Sequence, residues 1–255
     1  RHNRADFHIR YERQANSGAC AARNKGMSLS RGEFLNFLDS DDLLPPDSLE
    51  CKVKSLSQQA VDFVYGVSEV RDSSGRLLRR IAEEWPSEHG ARITAYLFDT
   101  NSVLIRRAAC IRTGLWDETL NGAQEVDFFS RLKARGHVGT FINQTTDVYR
   151  FHSDPSICQT GSLAHTSSWL TVCNRLYELI HTVPCDREAE MRELSKCYLK
   201  IAFALYDNND VSRSLYCMQR AYALKNRDWR LVLFLGLSKC FPARAVLALR
   251  YAKYY

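Results

Sequence analysis

Residues 33–38 (EFLNFL) are mostly apolar and run straight into Asp39-Ser40-Asp41-Asp42. Such a run reads as a strand covered on both faces. Asp39 and Asp41 stand two residues apart, so the period of a strand puts both side chains on one side of the chain. In open α/β sheets ligands bind at the carboxyl ends of the strands. Two carboxylates on one side of a part-buried place repel unless a cation sits between them. A hard divalent ion, Mg²⁺ or Mn²⁺, suits those oxygens and keeps waters and substrate phosphates at its other positions. The turn therefore reads as a bridge from the protein to a nucleoside diphosphate. The plainer reading is an acidic loop that caps the helix after Pro45, since Asp-rich turns before helices are common.

Around this strand the pattern alternates. Phe7, Ile9 and Tyr11 read as a short strand. Residues 19–30 read as a helix whose small residues Ala19, Ala22 and Gly26 form a thin face able to lie against a sheet. Pro45-Pro46 opens a helix to about Gln59. Strands follow over 61–70 and 76–81, with Ser73-Ser74-Gly75 as the turn between them. Residues 83–92 read as a loop and 102–105 as a strand, followed by a short helix ending at Gly114. A helix over 125–135 stops at Gly136. Residues 138–142 and 148–151 are two further extended segments. The alternation predicts an α/β sandwich with a largely parallel sheet.

After about residue 160 strand signals vanish. Helical patterns run over 162–181, 187–206, 211–225, 229–240 and 242–254. The expected division is 1–158 for the α/β domain and 159–255 for an all-α region. Cys197 to Trp229 resembles a tetratricopeptide-type hairpin, with Ala202, Leu205, Ala221 and Leu224 facing inward and Asn209-Asp210 at the turn. Stacked repeats normally come in threes, so a helical cap on the first domain is the preferred reading.

The chain of 255 residues is long enough for one large domain or two modest ones. Twelve Gly and six Pro exclude a low-complexity chain. A net charge of +6 permits anionic partners without arguing for nucleic acid. The nine cysteines are odd in number and no pair is spaced CxxC, which speaks against a zinc site or a disulfide framework. A reducing, cytoplasmic setting is the expectation.

Taken together, the motifs carry a resemblance. Asn16-Ser17-Gly18, Ala22-Arg23-Asn24-Lys25-Gly26, and Arg31-Gly32-Glu33 running to Asp39-Ser40-Asp41-Asp42 resemble the family-2 glycosyltransferases, which have the GT-A fold. Asn101 to Arg107, Gly114-Leu115-Trp116-Asp117-Glu118, Gln124 to Leu132, and Tyr149-Arg150-Phe151-His152 resemble that family's later segments, in order. The resemblance covers residues 7–157. The implied fold is α/β, a GT-A-like sheet sandwiched by helices and followed by an all-α region. The strands with which such a domain normally opens have no counterpart before Phe7, and the chain starts at Arg1, so the expectation is a fragment of a longer product.

The resemblance implies inverting transfer of a sugar from a nucleotide-diphosphate-sugar donor to a glycan or lipid-linked acceptor, in surface polysaccharide synthesis. Asp41 would bind Mn²⁺ or Mg²⁺, with Asp39 beside the ribose or the metal's waters. Glu125 falls where the family has an Asp general base, and Gln124 where it has Glu. Asp127 is the runner-up base, its plainer role an i, i+4 partner of Arg131. Arg23 is a candidate diphosphate contact, and His152 would approach the diphosphate or the metal. Asn24 reads as structural, Asp42 as a cap on the next helix, and Val126, Phe129 and Leu132 as a buried stripe.

A basic, partly apolar C-terminus (Arg230, Lys239, Arg244, Arg250, Lys253) can lie on a membrane surface at the inner face of the cell membrane. A solvated basic face on a packed helix is the preferred reading. Two other functions fit parts of the sequence. A nucleotidyltransferase also combines carboxylates and metal, though it should carry a Gly-rich phosphate loop. A non-catalytic interaction protein with a degenerate transferase domain would explain Gln124-Glu125 in place of Glu-Asp.

Overall fold

The computed structural model describes residues 8–81, 100–151 and 162–224. The first element is helix α1 (Gly18–Leu29), entered through Gly18 at φ +84°, a conformation that favours glycine, with Asn16 Oδ1 accepting from the Gly18 N–H. Then come β1 (Phe34–Asn36), α2 (Ser48–Gln58), β2 (Phe63–Arg71) and β3 (Leu77–Ile81). A single 3-10 turn (Thr100–Ser102) leads into β4 (Leu104–Arg106) and α3 (Arg107–Thr113). The α/β part ends with α4 (Gln124–Ala134) and β5 (Gly139–Arg150).

The sheet is built around β2. Along one edge β2 pairs in parallel with β5 over its whole length. Along the other it pairs antiparallel with β4 at Phe63–Val64 and with β3 at Ser68–Arg71. β1 then pairs antiparallel with β4. The sheet is therefore mixed, with one parallel ladder among the described residues, rather than largely parallel. Alternation had no means of showing direction, because a strand covered on both faces looks alike in either sense. Alternate residues of β2 face two clusters. Phe63 and Tyr65 pack with Cys20 and Met27 of α1, Cys110 of α3 and Phe128 and Leu132 of α4. Val64 packs on the other face with Leu56 of α2 and Leu104.

Three expectations are corrected. Residues 8–11 form no strand, and Ile9 and Tyr11 are exposed. Alternation without a partner ladder does not make a strand. In α1 the buried face is Cys20, Ala21, Arg23, Asn24 and Met27, while Ala22 and Gly26 face outward. Met27 fills the core and the polar pair finds partners, so the small residues are left to the surface. The segments 138–142 and 148–151 are one strand, carried through polar Asn143-Gln144-Thr145 with its register shifted at Gly66–Ser68. Gly66 is required there, since a Cβ would lie 2.3 Å from Thr146 Cγ2 and 2.8 Å from the Gln144 carbonyl oxygen.

Beyond the sheet lie α5 (Leu163–Thr182), α6 (Arg187–Asp207) and α7 (Val211–Ala223). Each starts with a capping side chain: Ser162, Asp186 and Asp210 accept from the backbone N–H three residues on. Leu176 and Ile180, Leu194 and Tyr198, and Cys217 and Met218 form their shared core. The α6–α7 hairpin turns at Asn209, at φ +60°, and buries Ala202, Leu205, Ala221 and Leu224. Among the described residues the cysteines are free, and no helix is long and apolar enough to cross a membrane. The helices expected over 229–240 and 242–254, the loop over 83–92 and the expected boundary at 158/159 lie outside the described residues.

Candidate active site

The acidic turn follows β1 at one end of the sheet and is held there from three directions. Within it, Asp42 N donates to Asp39 O at 3.1 Å. Leu43 then bridges to Val148 of β5 through two backbone hydrogen bonds. From the third side, the Arg150 backbone N–H donates to Asp42 Oδ1 at 2.9 Å, and its guanidinium donates to the Asp41 carbonyl. Asp41 is exposed and Asp39 half-exposed, whereas Asp42 is buried. Burial raises the Asp42 carboxyl above its ordinary value, although hydrogen bonds from Arg150 and Asn101 pull the other way.

The buried position of Asp42 corrects its expected role. It does not cap α2: the residue before that helix is Asp47, which makes no capping hydrogen bond with its side chain. Asp42 instead anchors the turn, accepting from Asn101 Nδ2 at 2.7 Å. The Asn101 carboxamide oxygen in turn accepts from the Asp39 N–H at 2.7 Å.

Arg23 joins this turn to the start of α4. The residue is buried on α1. Its Nη2 donates to Asp39 Oδ1 at 2.9 Å. Its Nη1 donates to Gln124 Oε1 at 3.2 Å and Glu125 Oε1 at 3.3 Å. The guanidinium lies over the Trp116 ring, 4.7 Å from its centroid. Burial acts to lower the pKa of Arg23, but the carboxylates of Asp39 and Glu125 outweigh it and hold the value above the ordinary one. Asp39 and Glu125, remote in sequence, thus share one buried cation.

Glu125 sits in the first turn of α4, where the helix dipole favours an anion. Ala123, immediately before the helix, is held at φ +56°. That left-handed backbone costs a residue with a Cβ about 1–2 kcal/mol. Asp127 is buried, and both its oxygens are engaged. Oδ2 accepts from Arg131 at 2.8 and 3.0 Å, and Oδ1 from Arg175 of α5 at 2.9 Å. Val126, Phe129 and Leu132 are buried, as the expected stripe requires, and Phe128 joins them. Asn24 clamps the segment after α3: it accepts from the Trp116 N–H at 2.8 Å and donates to Trp116 O at 2.9 Å and Glu118 Oε1 at 2.8 Å. His152 lies outside the described residues, but Arg150, two positions before it, touches the acidic turn.

Two neighbours of the site were not legible beforehand. Trp116 supplies the aromatic floor under Arg23 and stacks on Phe128 at 4.2 Å. His165, on the first turn of α5, packs so closely on Gly122 that a Cβ there would lie 2.3 Å from its ring. Burial lowers the His165 pKa, while the nearby Glu125 charge pulls it up.

The arrangement offers two accessible carboxylates at one turn, a third carboxylate about a shared guanidinium, and an aromatic floor. The family model "Glycosyltransferase like family 2" matches residues 1–155. Chondroitin synthase of Escherichia coli is 26% identical over 129 residues, which is 50% of this chain and 19% of that protein. Hyaluronan synthase of Pasteurella multocida is 26% identical over 129 residues, 50% of this chain and 13% of that protein. The chain thus spans less than a fifth of the length of these two relatives. The crystal structure of S. aureus TarS 1-349 in complex with UDP-GlcNAc superimposes with a TM-score of 0.65 at 16% identity, covering 94% of this chain and 74% of that one. This likeness shows the fold to be GT-A, with its mixed sheet between helices and a helical region after it. With the family model spanning well over half of it, the chain belongs to glycosyltransferase family 2.

Proposed function

We propose that this protein transfers a sugar, with inversion, from a nucleotide-diphosphate sugar to a glycan or lipid-linked acceptor in polysaccharide synthesis. The observation that carries this reading is the Arg23 guanidinium, which ties Asp39 and Glu125 into one cluster. These are the acids expected on the donor side and the acceptor side of the reacting carbon. The names of the matched synthases and the nucleotide sugar bound by TarS support the substrate class.

In this reading the acceptor oxygen forms a bond to the anomeric carbon as the bond from that carbon to the phosphate oxygen breaks. The electron pair leaves with the nucleoside diphosphate, and the acceptor's proton passes to the Glu125 carboxylate. General-base help of this kind is worth about 10²–10⁴-fold. Arg23 orients Glu125 and offsets part of the charge gathered at Asp39. Asp127 anchors α4 through Arg131 and Arg175, so Glu125 is the better-placed base. Asp39 and Asp41 present hard oxygens at one exposed turn, a donor set that fits Mg²⁺ or Mn²⁺, ions that take one or two carboxylates together with substrate phosphates. When bound, such an ion would offset charge on the leaving diphosphate.

The test is transfer and donor hydrolysis, with and without Mn²⁺, in the wild type, Asp41→Ala and Glu125→Gln. Both variants should melt as the wild type does and lose about 10²-fold or more in turnover. Full turnover in Glu125→Gln would remove the base assignment. Release of pyrophosphate rather than a nucleoside diphosphate would favour a nucleotidyltransferase.

A further inference from the structure

Behind the acidic turn lies a hydrogen-bonded frame with a buried cation at its base. Asn101, in the 3-10 turn before β4, is 2% exposed. Its carboxamide accepts from the Asp39 N–H and donates to the Asp42 carboxylate, each at 2.7 Å. One side chain thus holds both ends of the four-residue turn that carries Asp39 and Asp41. The Asn101 carbonyl oxygen accepts from Lys52 Nζ at 3.2 Å and from Asn36 Nδ2 at 3.1 Å. Lys52 Nζ also donates to Asn36 Oδ1 at 2.5 Å, so the Asn36 amide bridges the ammonium and the carbonyl it holds.

Lys52 stands on α2 with no exposed surface. An ammonium in that place is costly. Its hydrogen bonds among the described residues go to carbonyl oxygens rather than to a carboxylate. The carboxylate that attracts it is Asp147, which is itself buried and accepts from Ser68. Replacing the lysine together with Asp147 by uncharged side chains of similar volume would remove the desolvation cost without leaving a lone buried charge. What lysine adds is a donor that fixes the Asn101 carbonyl and the Asn36 amide beside it.

We infer that Asn101 is a positioning residue that holds Asp39 and Asp41 in the conformation that receives a cation–diphosphate ligand, and that Lys52 is the buried donor that fixes Asn101. The inference rests on the reading of the acidic turn as the donor site. Both residues are too deeply buried to touch a ligand, so they act through the turn.

The experiment measures Mn²⁺-dependent binding of UDP by calorimetry, alongside thermal melting, for the wild type, Asp41→Ala, Asn101→Ala, Asn101→Asp and the double variant Lys52→Met/Asp147→Asn. Groups that orient metal ligands typically contribute 10–100-fold to metal affinity. Lys52→Met/Asp147→Asn, which leaves no buried carboxylate without its counter-charge, should melt near the wild-type temperature and bind 10–100-fold more weakly. Asn101→Ala should lose a similar factor, and Asn101→Asp more, because it sets a carboxylate against Asp42. If Asn101→Ala fails to fold, Lys52→Met/Asp147→Asn decides alone. Wild-type affinity in folded Lys52→Met/Asp147→Asn, with binding lost in Asp41→Ala, would overturn the inference and leave the donor site standing. Unchanged binding in Asp41→Ala would overturn the donor-site reading and this inference with it.

Discussion

Arg23 brings a charge into a place where the neighbouring helical positions are core. The guanidinium is a planar fork with five donors, and here it serves three acceptors while its face rests on Trp116. Lysine would keep the charge but, with its donors on a single nitrogen, would not span acceptors that the two arms of the fork now hold apart. Gln124 follows from the same arithmetic. A glutamate there, as the family pattern has it, would place three carboxylates around one guanidinium; the amide oxygen accepts without adding charge. In Arg23→Lys, Asp39 and Glu125 lose their common reference, and a misplacement of about 1 Å at a reacting centre can cost about 10²-fold. The expected outcome is that order of loss in kcat/KM for transfer, with a circular dichroism spectrum like that of the wild type. Activity within threefold of wild type would show that the cluster does not set the geometry of the reaction.

At the scale of elements, what could be read beforehand was whatever is local. Helices α5, α6 and α7 came within a few residues of their expected bounds, since apolar spacing and the capping Ser162, Asp186 and Asp210 are all signals within one segment. The order of motifs likewise pointed to Asp39, Arg23 and Glu125, which the structure brings together. Partnership across the chain was hidden. Lys52 reads as one more lysine on an amphipathic helix, and only its meeting with Asn101, 49 residues on, gives it meaning. The continuity of β5 was hidden too, because the polar residues 143–145 break the apolar pattern where the strand shifts register against β2. Gly66 marks that crossing. In Gly66→Ala the new methyl meets Thr146 and the Gln144 carbonyl oxygen where β5 shifts register, and overpacking of this kind typically costs about 1–3 kcal/mol. Urea denaturation should show a lower midpoint with an unchanged slope. Because β5 ends at Arg150 against the acidic turn, the same variant should also weaken donor binding. A wild-type midpoint would mean that the two strands part without cost.

For the molecule as a whole, α4 is the element both halves use. Phe128, Phe129 and Leu132 belong to the cluster under the sheet, while Val126, with Leu120 and Ala123, belongs to the helical cluster. Arg175 of α5 binds Asp117 and Asp127 across the same boundary. The helix that carries Glu125 is therefore steadied from both sides, and the helical region is part of the frame of the site. Lys133 of α4 is buried there, and burial lowers its pKa from 10.5 to about 7 although the Glu190 charge on α6 pulls it up. Between those values the unfolded chain holds a proton that the folded chain does not. Stability should therefore rise with pH above about 7, by at most about 1.4 kcal/mol per pH unit for one proton. Lys52, lowered to about 8, extends the rise. From about 9 upward the sign reverses: burial pushes the thiols of Cys20, Cys110 and Cys217 from 9.0 to about 12, so the unfolded chain ionises first and gains. Urea midpoints measured from pH 6 to 10 should pass through a maximum between about 8 and 9. The double variant Lys133→Met/Glu190→Gln, which leaves no buried charge without its partner, should lose the rise from pH 7 to 8 and keep the fall above 9. A double variant with the full rise would place the titrating proton elsewhere and release α4 from this role.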